Sequence, residues 1–296
     1  MPWGSQSWLA LTPETTYGVR DEAGTATWLR LHRDDAFTMR PAKLRQIIRS
    51  ADGGNRRVQV VSARTAYVGQ LTTLFYPSQA AALIGLATTL ASNDLGSVTL
   101  DFFDSVRVQG YLGAKVNNLT ITSSADQDYC TLAIGFTAQR LDTALTTLAQ
   151  PAATVFPTDL PYEHVETAGH VSVAGSAVTL YRGLTLSIAN VLTPTWDEQP
   201  YITSLYYAGR DVDFTLDAQY VSTTWRAAFE AQTALAASVA WVRSSPAKSV
   251  TFALKTKNYT GSVQDRIPLN GPAYQSIKVE TFFDPAAATD CAATIV

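Results

Sequence analysis

Residues Asp211-Val212-Asp213-Phe214-Thr215-Leu216-Asp217-Ala218-Gln219-Tyr220 alternate polar and apolar side chains without a break. Successive side chains of a strand point to opposite faces, so the run predicts a β-strand with Val212, Phe214, Leu216, Ala218 and Tyr220 in a core. Asp211, Asp213, Thr215, Asp217 and Gln219 take the other face. Three carboxylates spaced two apart repel one another, so the fold must leave that face in water or give it a cationic partner. What the acidic face looks onto is the functional question.

Working outward, 296 residues suffice for one large domain or two of ~150, each able to bury a core. The chain is 46% hydrophobic and 16% charged, a folded composition with fewer charges than the usual ~25%. Few charges on a large chain suggest surface covered by further copies of itself. The net charge of −3 argues against a surface that grips nucleic acid by neutralising phosphates. Cys130 and Cys291 are the only cysteines, too few for a disulfide framework. The opening Met-Pro-Trp-Gly-Ser-Gln lacks a basic region followed by an apolar run, and no segment reaches ~18 continuous apolar residues. The expectation is a soluble chain made in the cytoplasm.

Residues 1–36 hold Trp3, Trp8, Tyr17 and Trp28 among glycines and a proline. They predict an extended arm, laid on another surface or on its own domain, because tryptophans each bury ~150–250 Å². Two apolar-leaning runs around Ser50-Ala-Asp-Gly-Gly-Asn55 predict a long β-hairpin. Its flanks carry Arg40, Lys43, Arg45, Arg49, Arg56 and Arg57, either a solvated tip or a contact with an acidic neighbour. Strand sequence follows over 65–76. Pro77-Ser78 then opens a helix with Leu83, Ile84, Leu86, Ala87 and Leu90 as its apolar stripe. Strands are expected at 98–103, 106–112, 115–122 and 128–140. Three prolines make 146–176 a linker. The plan then begins again: a strand over 180–191, a turn-rich stretch at 193–200, the acidic strand, a helix from about 222, and strands at 238–243, 249–257 and 273–283.

The halves thus share an order, and Ser78 on Thr223 and Tyr129 on Tyr274 align at a common shift of 145 residues (223 − 78 and 274 − 129). An internal duplication follows, as an arm (1–36), two units (37–145 and 177–285) joined by the linker, and a tail (286–296). The expected class is mainly β with a few helices, each unit a β-sandwich or split barrel with one flanking helix. A sheet with its helix on one face leaves the other face for something else.

Motifs for chemistry are absent: no Gly-x-Ser-x-Gly, no Gly-Lys-Ser/Thr, no Cys-x-x-Cys and no His-Glu-x-x-His. His164, Glu166 and His170 have ligand types suited to zinc, but their spacing matches no closed motif. The acidic row lacks the two unlike environments that an acid/base pair needs. No catalytic residue, cofactor or metal is expected.

The run Gly4-Ser-Gln-Ser-Trp-Leu-Ala-Leu-Thr-Pro-Glu-Thr-Thr-Tyr-Gly-Val19, followed by the hairpin–strand–helix–strand plan, resembles tail tube (major tail) proteins of long-tailed phages. The resemblance implies a structural virion protein of the tail. It implies rings, here trimers of a duplicated unit with pseudo-sixfold symmetry, whose inner sheets line a channel for DNA. Asp211, Asp213, Thr215, Asp217, Gln219, Thr131 and Thr137 would face that lumen, where negative charge lets DNA slide without sticking. Trp3, Trp8, Tyr17, Arg45, Arg49, Arg56 and Arg57 would contact the adjacent ring, with Asp197 and Glu198 as a complement in charge. By the same resemblance the partners are further copies, a tape measure protein and tail terminator and tip proteins, with no membrane. Two other readings stand beside it. One is a monomeric β-sandwich binding module with a pocket of Tyr201, Tyr206 and Tyr207; the other is a glycoside hydrolase built on the acidic row.

Overall fold

Alternation of the kind seen at 211–219 recurs along the chain and yields nineteen strands and three helices in a computed structural model that describes residues 8–30, 37–49, 57–103, 108–145, 156–167, 170–173, 175–219, 224–234, 236–245, 247–254, 258–266, 273–281 and 291–296. The first half runs β1 (Trp8–Pro13), β2 (Thr27–Arg30), β3 (Phe37–Arg49), β4 (Arg57–Leu74), α1 (Pro77–Thr88), β5 (Leu90–Ala91), β6 (Asp94–Leu95), β7 (Val98–Phe103), β8 (Val108–Ser124), β9 (Thr131–Ala138) and β10 (Arg140–Leu141). The connection carries α2 (His164–Thr167). The second half runs β11 (Val171–Val173), β12 (Ser176–Val178), β13 (Tyr181–Thr195), β14 (Ser204–Gln219), α3 (Thr224–Glu230), β15 (Ala237–Ser244), β16 (Ala247–Leu254), β17 (Asn258–Arg266), β18 (Tyr274–Thr281) and β19 (Cys291–Ile295).

The main layer is an antiparallel run of eight strands in the order β3-β4-β9-β8-β13-β14-β18-β17. Its first four strands come from the first half and its last four from the second. The β8–β13 pairing, Asn118↔Ala189 to Ser124↔Gly183, welds the halves into one sheet. A second layer lies in each half. The amino-terminal part of β8 leaves the main sheet to join β2-β1-β7-β8-β10, and the second half forms β12-β11-β15-β16-β19. Matched strand by strand, the two second layers have the same order, with β16 in the place of β8. The repeat expected from the sequence is therefore present as topology.

Between the layers Leu71, Phe75, Leu119, Ile134 and Phe136 pack with Leu186, Phe214, Trp241, Phe252 and Val279 in one cluster that spans both halves. Helix α1 adds Ala80, Leu83, Ile84 and Ala87 to it. Tyr162, within the connection, is fully buried against Phe75, with ring centroids 4.9 Å apart; burial, then Asp159, pushes its hydroxyl pKa up to about 12.

Several boundaries differ from those read off the sequence. The runs at 106–112 and 115–122 are one strand, since Gly113 (φ +63) turns the backbone within β8 in a conformation that favours glycine. Leu90 leaves the α1 stripe for the two-residue strand β5, paired to β6 across Ser92 and Asn93, both at positive φ as a tight hairpin turn requires. Residues 8–30 pack on their own chain, the second of the two expected placements: β1 lies between β2 and β7, and Trp8 is 4% exposed against Trp28 and Phe103. The linker contains β11, and β17 lies where the sequence pattern predicts no strand. Trp3, Arg56 and Tyr220 lie outside the described residues.

Candidate functional site

One face of the eight-stranded layer covers the core and the other carries polar side chains in rows that cross the strands. The first row is Lys278, Thr215, Thr185, Thr122 and Thr131 on five adjacent strands. Next to it runs Glu280, Asp213, Ser187, Thr120, Ala133 and Thr72. A third runs Asp211, Ala189, Asn118, Gly135, Gln70 and Thr38. Asp217 stands opposite Gly183 and Ser276, and Gln219 opposite Tyr274. The strand alternation thus brings Asp211, Asp213, Thr215, Asp217, Gln219 and Thr131 onto one surface. Thr137 sits where β8 bulges, accepting a hydrogen bond from Asn117 Nδ2 at 3.0 Å.

The charge on this face is uneven. Its carboxylates, Asp211, Asp213, Asp217 and Glu280, all belong to β14 and β18. The rows on β9 and β8 hold hydroxyls, amides and small side chains. The cationic partner that the spacing demanded is Lys278, whose Nζ lies 3.1 Å from Glu280 and 3.2 Å from Asp213. Those two carboxylates, Glu280 first, hold its ammonium pKa above the ordinary lysine value. One lysine against four carboxylates leaves the patch net negative. Lys278 and Glu280 alternate with Ile277 and Val279, the same period-two signal that marks β14.

Hydroxyl contacts knit the neutral part: Thr120 Oγ1 and Ser187 Oγ are 3.4 Å apart across the β8–β13 seam, and Ser187 donates to Asn118 Oδ1 at 3.4 Å. Apart from the Lys278 pairs, no ionic contact ties this face down among the described residues. It presents a smooth polar wall whose chemistry is repulsion of anions and hydration.

The seam itself is bolted on the core side. Asn190 Nδ2 donates to the carbonyls of Ala87 (3.0 Å) and Val116 (3.1 Å), and Arg210 donates to those of Ala87 and Thr88 and to Asn190 Oδ1. The β13–β14 hairpin of the second half therefore caps the carboxyl end of the first half's helix. Buried Lys115 adds bonds to Asp94 and to the Leu205 carbonyl, both 2.6 Å.

The two long hairpins project from the same end of the sheet. β4 loses its β9 partner before Tyr67 but continues paired to β3 as far as Arg49↔Arg57, while β13 and β14 continue past Ala189↔Asp211 to Thr195↔Ser204. Arg45, Arg49 and Arg57 lie on the backbone of the first hairpin. Asp197 and Glu198, both exposed, lie on the tip of the second. Arg64 stacks over Trp196, 5.6 Å to the ring centroid, and Thr65 N donates to the Pro200 carbonyl at 2.8 Å, so that second tip leans on the first half. Tyr17 is packed within the chain, its ring 5.4 Å from Lys115 Nζ.

Other candidate chemistry is dispersed. His164 Nδ1 is 2.8 Å from Ser123 Oγ, and burial lowers its pKa. Glu166 bonds Ser244, and exposed His170 offers its carbonyl to Ala240 N. Among the described residues no group of three or more His, Cys, Asp and Glu is placed to hold a metal. Tyr201 lines a cleft of about 480 Å³ with Tyr67 and Arg140, whereas Tyr206 lines another of about 290 Å³ with Tyr17 and Asp94, and Tyr207 lies under Arg210. The three tyrosines do not converge on one pocket.

A family model described as phage tail tube protein matches residues 4–281. No curated protein matches the chain.

Proposed function

The chain belongs to the phage tail tube protein family, a structural component of the virion tail that assembles into a tube, and from that premise we propose that three copies close into a ring whose stacked repeats enclose the channel for DNA. The observation that carries this reading is the edge-to-edge weld of two equivalent four-stranded sheets at β8–β13, with the counterpart edges β3 and β17 unpaired on their outer sides by any strand among the described residues. Repeating the same junction from chain to chain removes those edges by closure. Three chains of two units, 37–145 and 177–285, give pseudo-sixfold symmetry.

The polar rows then face the lumen. A wall of hydroxyls interrupted by net-negative patches gives duplex phosphates nothing to grip. The acidic charge alternates around the ring, one patch for each second half. The role is structural and involves no catalytic step. A tape measure protein and tail terminator and tip proteins are the chain's further partners by the family resemblance.

Rings stack head to tail, which is a heterologous contact that propagates without closing. The hairpins β3–β4 and β13–β14 extend from the same end of the sheet, so in a head-to-tail stack we look for the acidic complement of the basic hairpin elsewhere than at Asp197 and Glu198. The opposite end carries the exposed turn of Asp126 and Asp128, which complements the basic hairpin of the next ring.

Negative-stain microscopy of the purified protein at high concentration is expected to show rings or tubes. A chain that stays monomeric overturns the reading. Changing Asp211, Asp213 and Asp217 to Lys is expected to permit tube assembly and lower infectivity; unchanged infectivity removes the lumen assignment.

A further inference from the structure

The two halves repeat so closely that the junction inside the chain specifies a junction between chains. The β4–β9 ladder runs for eight pairs from Leu74↔Thr131 to Tyr67↔Ala138, and the β14–β18 ladder for eight from Gln219↔Tyr274 to Val212↔Thr281. Superposing ladder on ladder puts Leu74 on Gln219, at the shift of 145 (219 − 74) that Ser78 and Thr223 share, and Thr131 on Tyr274, a shift of 143 (274 − 131) that moves the expected match of Tyr129 with Tyr274 by two residues. Gln70 then falls on Thr215, four residues up each strand. Gln70 pairs with Thr38 on one side and Gly135 on the other, and Gly135 with Asn118. Thr215 pairs with Thr185 and Lys278, and Lys278 with Ser262. The counterpart of Thr185 is therefore Thr38, that of Ala189 is Ala42, and that of Asn118 is Ser262.

Within the chain Asn118 pairs with Ala189, and Thr122 with Thr185. We propose that β17 of one copy pairs antiparallel with β3 of the next in the register Ser262↔Ala42, Gln264↔Arg40 and Arg266↔Thr38. This rests on the ring reading and deepens it, because it fixes which edges meet and at which residues. The parity is self-consistent: Thr38 shares its row with Gln70, and Ser262 its row with Lys278, so the polar face continues unbroken across the seam. In that register Arg40 brings to the seam a second cation, beside Lys278, on the same polar face.

The inter-chain seam differs from its template in one respect. At the intra-chain seam Asn190 and Arg210 cap the open end of α1. The end of α3 is closed by its own chain, with Gln232 in the left-handed conformation (φ +50), Thr233 N donating to the Ala228 carbonyl and Gln232 N to that of Phe229. The Ala228 and Phe229 carbonyls there are taken by the chain's own backbone and are not offered to the β3–β4 hairpin of a neighbour. The seam between chains is held by the strand ladder and is the one that opens when the ring dissociates.

The test is disulfide formation in assembled tubes. Cross-strand Cα atoms lie ~4.5–5.5 Å apart, within disulfide range, while six strands separate β3 from β17 inside one chain. Cys130 and Cys291 are buried. Oxidised tubes of the A42C/S262C double variant are expected to give, on a non-reducing gel, a covalent ladder that ends at three chains, in roughly tenfold higher yield than the shifted pair R40C/S262C. T38C/R266C tests the same register should the first pair fail to assemble. Tubes in which the shifted pair links and the two matched pairs do not overturn the register while leaving the ring reading intact. Absence of tubes from the unaltered chain overturns the ring reading itself.

Discussion

The two halves share a strand order and differ in what covers it. In the first half both faces of β1 and β7 are buried, the outer one beneath an ionic cluster in which Arg20 bonds Asp101 at 2.6 and 2.7 Å and Asp142 at 2.9 and 3.0 Å. Setting Ser97 on Ser238, a shift of 141 (238 − 97), puts Val242 at the place of Asp101. The same layer of the second half is only partly covered, with Ser238, Ala240 and Val242 half-buried. The first half also leaves its helix end to be capped by the second, whereas the second caps its own. One strand plan thus serves a half that is finished by its covalent partner and a half built to stand at a seam.

The sharpest way to break this contrast is Arg20→Ala. Asp101 and Asp142 side chains are 7% and 12% exposed, and removing the cation from buried carboxylates costs about 3–5 kcal/mol. Urea unfolding is expected to show that loss; a loss under 1 kcal/mol would mean that the cluster is not what completes the first half. Arg210→Ala comes next. It takes the donor from the Thr88 carbonyl and leaves the Ala87 carbonyl to Asn190 alone, and is expected to cost about 2 kcal/mol, with amide exchange accelerating at the end of α1 and not at the end of α3. Equal acceleration at both helix ends would erase the distinction between the seams.

A smaller effect is expected from pH. Burial lowers the pKa of His164, so the folded chain binds its proton less readily than the unfolded chain, whose imidazole titrates near 6.5. The associated stability is fully present above about pH 6.5 and is lost as pH falls through the folded value. The thermal midpoint should therefore drop on acidification, and His164→Gln should flatten that part of the profile. The smallest change is Gln232→Gly, which relieves a side chain held at positive φ and should stabilise the second half by roughly 0.5–1 kcal/mol. A loss instead would show that the Gln232 side chain, which donates to the Phe229 carbonyl at 2.9 Å, matters more than the backbone strain.

Alternation made the polar wall legible at β14, β13 and β9, because a strand with one wet face writes its environment at period two. It failed at β17, where Asn258-Tyr-Thr-Gly-Ser-Val-Gln-Asp-Arg266 carries too few apolar residues to mark a core face. It also failed at β1, where Trp8-Leu-Ala-Leu11 is buried on both sides and shows no period. The resemblance of residues 4–19 and of the overall plan supplied the family, which composition alone could not.

The sequence by itself determined the mainly β class, the repeat, the acidic face of β14 and its need for a cation, since each depends on the spacing of residues close along the chain. Only the tertiary structure decided that the halves merge through β8 and β13, that Lys278 is that cation, that Arg210 caps the other half's helix and that both hairpins leave one end. Those outcomes join residues tens to more than a hundred positions apart. Nothing in local periodicity encodes which strand edge meets which, because any exposed edge offers the same unpaired backbone groups and only the packed whole selects among them.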